Sequence, residues 1–107
     1  MAWVQLVLAG ILEIVWAYFM KKSAGFSLLV PSAITIITMF SSFVLLTLAM
    51  RSLPLGTAYT IWTGIGAVGA FAVGVILLGE TLSPLRLLAA LMIVAGIVLM
   101  KISSPSA

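Results

Sequence analysis

The chain has 107 residues, of which 64% are hydrophobic and only 7% are charged. An ordinary soluble domain carries roughly 25% charged residues, so this composition excludes a soluble globular enzyme, a nucleic-acid-binding domain and a disordered chain. The sequence has no cysteine and no histidine, which excludes disulfides, Ser-His or thiol catalysis, and metal sites built from these residues. We therefore expect a membrane protein that is not an enzyme and that uses no metal or cofactor.

Four apolar segments follow one another along the chain. A helix needs about 20 residues to cross the hydrocarbon core, and the breaks between the segments contain charged residues, glycine or proline. The fourth segment is the shortest, but Arg86 and Lys101 at its ends have side chains long enough to reach the interface. The predicted helices cover about residues 2–20, 29–50, 57–78 and 85–101, within a single transmembrane domain of residues 1–107.

Two other interpretations of the apolar segments are disfavoured. A signal peptide does not fit the first segment, because no basic residue precedes the apolar run and Glu13 lies within it. Transmembrane β-strands do not fit either, because the apolar runs are continuous rather than alternating. The predicted fold class is therefore all-α integral membrane, with four helices whose short loops make sequence neighbours antiparallel.

The basic residues divide almost evenly between the two sides of the membrane. Four crossings place Arg51 and Lys101 on the side of both termini, and Lys21, Lys22 and Arg86 on the other side. Orientation follows a Lys/Arg excess on the cytoplasmic side, and this distribution gives no clear excess. Either a feature other than loop charge sets the orientation, or the chain inserts in both orientations.

Glu13 is the charged residue that lies in the middle of a predicted span. An ionised carboxylate at that depth costs at least about 2.5–3.5 kcal/mol on insertion scales, so we expect it to face a bundle interior or a water-filled cavity. Gly10 lies about one turn before it and Trp16 about one turn after it, on the same helix face. Glu13 either packs as a protonated group that hydrogen-bonds another helix, or holds a proton and a cation in competition.

The charged residues and oxygen ligands that the chain can supply limit which cation Glu13 can bind. No Lys or Arg lies in the middle of a predicted span, so Glu13 has no permanent cationic partner. A hard metal ion needs several oxygen ligands, whereas a guanidinium-like cation can give two parallel N–H donors to one carboxylate. The sequence therefore favours a proton and a small organic cation. Glu80, in contrast, lies at a predicted helix end and is interpreted as a solvated interfacial charge.

Two predicted helices supply aromatic and polar side chains at helical spacing. Met39, Ser42 and Phe43 share one face of the second helix, and Tyr59 and Trp62 share one face of the third. These side chains either pack and anchor the helices or line a cation site. In the second case the aromatic faces attract the charge, and the hydroxyl of Ser42 hydrogen-bonds the carboxylate.

Small residues mark two further helix faces. Gly66 belongs to a small-residue ridge of the third helix, and Gly64 lies nearby. Such glycines either allow close packing or let the helix bend as access to a site alternates. The fourth helix has Ala89, Ile93 and Gly96 and no charged residue in its middle, which indicates a helix used for association between chains.

Several runs of the sequence match a known pattern: Glu13–Ala17, Lys21, Gly25-Phe26, Pro31-Ser32, Leu53–Tyr59 and Ile61–Gly66. With these residues the chain resembles the small multidrug resistance family of bacterial transporters over essentially its whole length. Trp16, the run Trp62–Ala67 and Lys101 are similar to the guanidinium exporter subtype of that family. The drug-exporting subtype typically has a small residue at the position of Trp16.

The resemblance implies an antiparallel, dual-topology homodimer in the bacterial inner membrane that exchanges protons for guanidinium or related cations. It also implies that Glu13 binds both substrate and proton, and that Trp16, Ser42, Tyr59 and Trp62 line the site or support the glutamate. A promiscuous exporter of quaternary ammonium or aromatic cations is the alternative, against which the bulk of Trp16 argues. A non-transporting membrane subunit, in which Glu13 only packs, is a third hypothesis.

Overall fold

The computed structural model describes residues 1–103 of the chain. These residues form four α-helices in chain order, which are α1 (Ala2–Lys22), α2 (Leu29–Ala49), α3 (Leu55–Leu77) and α4 (Pro84–Ser103). Each helix is long and apolar enough to span a membrane. The four predicted helices are thus confirmed, and no predicted end differs from the observed end by more than two residues. Residues 104–107, which the predicted domain includes, lie outside the described part.

A tight turn joins α1 to α2. Its backbone passes through three successive residues with positive φ, which are Ala24 at 50°, Gly25 at 74° and Phe26 at 65°. The buried hydroxyl of Ser23 holds this turn, because it donates a hydrogen bond to the Met20 carbonyl at 2.6 Å and accepts one from the Phe26 amide at 3.0 Å. The turn reverses the chain, so α2 runs back along α1.

The third helix begins two residues earlier than the sequence predicts. Pro54, with φ of −60° and ψ of 150°, is the residue just before the helix. Proline is compatible with this place because its missing N–H removes no intrahelical bond there. Gly56 is therefore a residue of the first helical turn of α3 rather than part of the loop.

The first helix lies at the centre of the packing. It packs along both α2 and α3, whereas α4 packs against α3 and reaches α1 through Lys101, whose Nζ lies 4.7 Å from the ring centre of Trp3. The buried apolar residues come from the first three helices and the turn before α3: Ala2, Leu6, Ala9, Leu46, Ala49, Leu53, Ala58, Ile61 and Trp62. No residue of α4 is buried. One chain therefore forms a three-helix core with a fourth helix at its edge.

Glycine allows α1 and α3 to approach closely. A β-carbon at Gly10 would lie 2.8 Å from the Cβ of Ile65, and a β-carbon at Gly69 would overlap the side chain of Ile14. Each glycine therefore receives an isoleucine from the opposite helix. These two contacts involve Gly10 and Ile14 of α1, which lie on either side of the middle of the helix. They therefore fix the position of Glu13, which lies between them.

Candidate functional site

Glu13 lies on α1 between these two close contacts and faces α3. Its carboxylate lies directly against Gly66, where an added β-carbon would overlap Oε1 and Cδ. Oε1 is buried and has no hydrogen-bond partner in the described part of the chain. A buried polar atom without a partner costs about 1–3 kcal/mol, and such atoms are uncommon enough to indicate a functional role or a missing ligand.

Trp16 lies one turn further along α1 and has the same property. Its indole Nε1 is buried and has no partner among residues 1–103. An indole N–H is only a donor, whereas a carboxylate oxygen is an acceptor. The two unpartnered atoms at the middle of α1 are therefore one acceptor, on Glu13, and one donor, on Trp16.

Ser42 connects the three helices of the core at this level. Its side chain is fully buried and donates a hydrogen bond to the Ala9 carbonyl of α1 at 2.7 Å. It also accepts one from Nε1 of Trp62 on α3 at 3.0 Å. The predicted hydrogen bond from Ser42 to the carboxylate of Glu13 is therefore not formed in this structure. Its hydroxyl positions the ring of Trp62.

Four aromatic rings form a continuous series that starts at Trp16, one turn after Glu13 on α1. The rings of Trp16 and Phe43 are 6.5 Å apart, those of Phe43 and Trp62 are 5.9 Å apart, and those of Trp62 and Tyr59 are 5.6 Å apart. Trp62 is buried, whereas Phe43 and Tyr59 are exposed. The structure thus brings together aromatic residues that the sequence placed on three separate helices, and it leaves one end of the series open.

The remaining predicted site residues lie around this group. Met39 is partly buried on α2, about one turn before Phe43. Gly10 packs against Ile65 in the α1–α3 contact described above. Gly64 faces away from Glu13, because an added β-carbon would lie 2.8 Å from the Cδ1 and Cγ1 atoms of Ile97 on α4. Gly64 therefore brings α4 close to α3, and α3 is one continuous helix through it.

The predicted association residues of α4 lie in the open. Ala89, Ile93 and Gly96 are all exposed, and apart from the neighbouring backbone of α4 no atom of residues 1–103 lies within 4 Å of the place of a β-carbon at Gly96. Ile93 and Gly96 line a hollow of about 460 Å³ between α3 and α4, which Tyr59 also lines. Glu13 is not part of its wall. The apolar surface of α4 is therefore free for contact with lipid or with another chain.

Sequence reasoning missed two contacts that shape the site. One is the close approach of Glu13 to Gly66, although both residues were singled out separately. The other is the Ala9 carbonyl, which Ser42 uses instead of the carboxylate. Helical spacing shows which residues share a face of one helix, but the rotation of one helix against another depends on packing, so no sequence signal paired these residues.

Comparison with known proteins identifies the family. The family model described as "Small Multidrug Resistance protein" matches residues 1–94 of the chain. The chain belongs to the small multidrug resistance family. With four helices able to span a membrane, this member of the family is a multi-pass membrane transport protein.

Relatives within the small multidrug resistance family match nearly the whole chain. A protein of Salmonella typhimurium (strain LT2), named "Guanidinium exporter", is 57% identical over 104 residues, which are 97% of this chain and 99% of the relative. Proteins of the same name from Citrobacter freundii and Escherichia coli (strain K12) are 55% and 54% identical, with the same coverage.

Proposed function

We propose that this protein is a proton-coupled antiporter that exports guanidinium and small guanidinyl cations across the bacterial inner membrane. In this proposal the described helices belong to one domain of residues 1–107, and proton and cation compete for Glu13. The name shared by the relatives, at 54–57% identity over nearly the full chain, supports the substrate. The unpartnered buried oxygen of Glu13 supports the position of the site.

The single observation that carries the proposal is the environment of the Glu13 carboxylate. No donor within residues 1–103 bonds Oε1, so a hydrogen-bond donor from outside the chain can satisfy it. A proton or an N–H group of a guanidinium ion does this, and a planar guanidinium can place two N–H groups on one carboxylate. Trp16 lies one turn from Glu13 on α1, its ring is 6.5 Å from that of Phe43, and aromatic faces attract cations.

Competition at one carboxylate explains the coupling. When Glu13 binds a proton, its negative charge is lost and the cation leaves; when the proton leaves, the charge returns and the cation binds again. Export then requires that the site opens to one side with the cation and to the other side with the proton. Each change between the two access states carries either a cation or a proton across the membrane. The proton gradient therefore drives the cation outwards.

An antiparallel homodimer supplies the two-sided access in this proposal. Many transporters use inverted repeats to form two mirror-related access states, and two identical chains of opposite orientation have the same symmetry. The nearly even charge count fits insertion in both orientations. The exposed apolar face of α4, with Ala89, Ile93 and Gly96 on its surface, is the face we assign to contact between the chains.

Transport by purified protein tests this function. Proteoliposomes with an imposed proton gradient should accumulate guanidinium with the natural chain and not with Glu13→Gln, because the amide can neither bind a proton nor attract the cation. Glu13→Asp is the matched control: it keeps a carboxylate, so it should keep proton-driven transport at a reduced rate. Full transport by Glu13→Gln would overturn the mechanism.

A parallel assay decides between guanidinium and bulkier cations. The alternative function is export of quaternary ammonium or aromatic cations, which have no N–H donors or need a wider site. We expect transport of guanidinium and little transport of a tetraalkylammonium, because the bulky ring of Trp16, one turn from Glu13 on α1, packs against Phe43 and narrows the space there. Preference for the bulky cation would replace the proposed substrate with the alternative.

A further inference from the structure

Three helices surround an apolar hollow at the end of the molecule where α1 begins and α4 ends. The hollow has a volume of about 200 Å³ and lies between α1, α3 and α4. Trp3 of α1 and Lys101 of α4 line it, and the rest of its wall is apolar and includes Val7, Ile65 and Val98. A single cavity therefore combines one positive charge with an apolar wall.

This hollow extends from the edge of the membrane into the span. Trp3 and Lys101 lie near helix ends, where tryptophan and lysine side chains are typical of the membrane–water interface. Ile65, which also lines the hollow, packs on Gly10 of α1. At 1.5 Å of rise per residue, Gly10 lies about 10 Å along the helix from Trp3. The same cavity therefore reaches from the level of the lipid headgroups to the level of the acyl chains.

The ammonium of Lys101 is held in position but is not neutralised within residues 1–103. Its Nζ lies 4.7 Å from the ring centre of Trp3, where the aromatic face attracts the cation. Within the same residues neither this ammonium nor the indole N–H of Trp3 forms a hydrogen bond. Neither Glu13 nor Glu80 lines the hollow. Donors of both side chains are therefore left for an acceptor from outside the chain.

The face of α4 that lines this hollow differs from the face assigned to contact between the chains. With 3.6 residues per turn, Val98 lies about 140–180° around the helix from the three residues of that contact face, and none of the three lines the hollow. Ile97 lines it as well, and its side chain packs on Gly64 of α3 within the same chain. The hollow therefore opens towards lipid when the contact face is covered by a second chain.

We propose that this hollow binds an anionic phospholipid with a glycerol headgroup. The phosphodiester accepts hydrogen bonds from Lys101 and Trp3, and part of an acyl chain fills the apolar wall below them. Basic pockets between membrane-spanning helices bind anionic headgroups. No carboxylate lines the hollow to attract the ammonium of an ethanolamine or choline headgroup, so charge complementarity favours a lipid with a net negative charge. A dissolved phosphate ion would leave the apolar part unfilled.

Lipid retention measures this binding independently of transport, so its result does not depend on the proposed function. The purified protein is released for native mass spectrometry from nanodiscs that contain equal parts of glycerol, ethanolamine and choline phospholipids with the same acyl chains. We expect the natural chain to retain the glycerol lipid in preference. Lys101→Gln should lower this preference about tenfold, as for the loss of one charge-assisted contact, whereas Lys101→Arg should keep it.

Two matched controls separate this site from general effects of charge and bulk. Arg51→Gln removes a positive charge on the same side of the membrane, but Arg51 does not line the hollow, so this variant should retain lipid like the natural chain. Val98→Phe leaves every charge in place and fills the hollow, so it should reduce retention. Val94→Phe makes the same change one turn away on α4 at a residue that does not line the hollow, and it should not. Circular dichroism checks that each variant keeps its helices.

Three outcomes would overturn the proposal. Equal retention of glycerol and choline lipids by the natural chain would contradict recognition of a net negative charge. Equal reductions by Lys101→Gln and Arg51→Gln would show a general charge effect. Displacement of the lipid by inorganic phosphate or by soluble glycerophosphoglycerol at equal concentration would show a site for a dissolved anion.

Discussion

The carboxylate of Glu13 lies against the α-carbon of Gly66, and the absence of a side chain at position 66 is what leaves room for it. The contact joins the middle of α1 to the middle of α3. It also explains how a charged residue can be placed within a span, since a glycine on the facing helix opens the space that the carboxylate fills. The position of Glu13 is therefore a property of two helices rather than of one.

Gly66→Ala should weaken guanidinium binding about tenfold or more while leaving the protein folded. The added methyl group overlaps the far end of a flexible side chain, which can rotate, so the carboxylate moves and the backbone does not. Gly56→Ala is the control, because apart from the neighbouring backbone of α3 no atom of residues 1–103 lies within 4 Å of the place of its β-carbon. Isothermal titration with guanidinium measures both variants; equal affinities would show that the position of the carboxylate against Gly66 is unimportant.

The helices could be predicted closely from the sequence because the physics that sets them is local. Continuous apolar runs and the charged or proline-containing breaks between them fix where a helix can cross a membrane. The observed start of α3 lies two residues before the predicted start, because a proline just before a helix, here Pro54, allows the helix to begin at the next residue. Such shifts are small since they change only the first turn.

The site was predicted as a set of residues but not as a set of contacts. Glu13, Gly66 and Ser42 were all identified from charge, size and spacing. Whether the hydroxyl of Ser42 reaches the carboxylate or the Ala9 carbonyl depends on how α2 is rotated against α1. That rotation results from packing of the whole core, in which glycine–isoleucine contacts set distances that helical periodicity does not contain.

Ser42→Ala should lower the free energy of unfolding by about 1–2 kcal/mol. The change removes two hydrogen bonds and leaves the indole N–H of Trp62 buried without an acceptor. Ser41→Ala is the matched control, because the Ser41 hydroxyl is exposed and bonds only the Ile37 carbonyl of its own helix at 2.9 Å. Unfolding by denaturing detergent compares the two; equal losses would contradict a structural role specific to Ser42.

Guanidinium binding should weaken as the pH falls. If one proton and one cation compete for Glu13, the dissociation constant rises about tenfold for each pH unit below the titration of that carboxyl. Trp16 and Trp62 lie at the proposed site, so their fluorescence should report a guanidinium titration at each pH. Glu13→Asp should keep a pH dependence, whereas Glu13→Gln should lose binding; an affinity in the natural chain that is independent of pH would rule out competition.

Trp16→Ala should shift selectivity towards bulky cations. The ring of Trp16 packs edge-on against Phe43, and its removal opens space beside Glu13. We expect the ratio of tetraalkylammonium to guanidinium transport to rise by about tenfold or more. Trp16→Phe keeps an aromatic ring at this place but loses the unpartnered N–H together with part of the indole bulk, so it should shift the ratio less than Trp16→Ala does. A shift of the same size in Trp16→Phe would contradict the assignment of selectivity to the bulk of the ring.

Orientation in the membrane can be read from single introduced thiols, because the chain has no cysteine of its own. Ser103→Cys places a thiol at the exposed end of α4, and Ser27→Cys places one in the exposed turn at the opposite end of the helices. If the chain inserts in both orientations, a membrane-impermeant maleimide added outside cells should label about half of either variant. Complete labelling of one variant and none of the other would show a single orientation.

Removing two charges should then fix that orientation. Lys21→Gln with Lys22→Gln leaves Arg86 on one side, against Arg51 and Lys101 on the side of the termini. The excess should place the termini in the cytoplasm, so Ser103→Cys should become protected and Ser27→Cys fully labelled. If the working form is an antiparallel pair, chains locked this way should lose guanidinium transport and regain it when co-expressed with a chain locked in the opposite orientation. Transport by the locked chain alone would contradict the antiparallel arrangement.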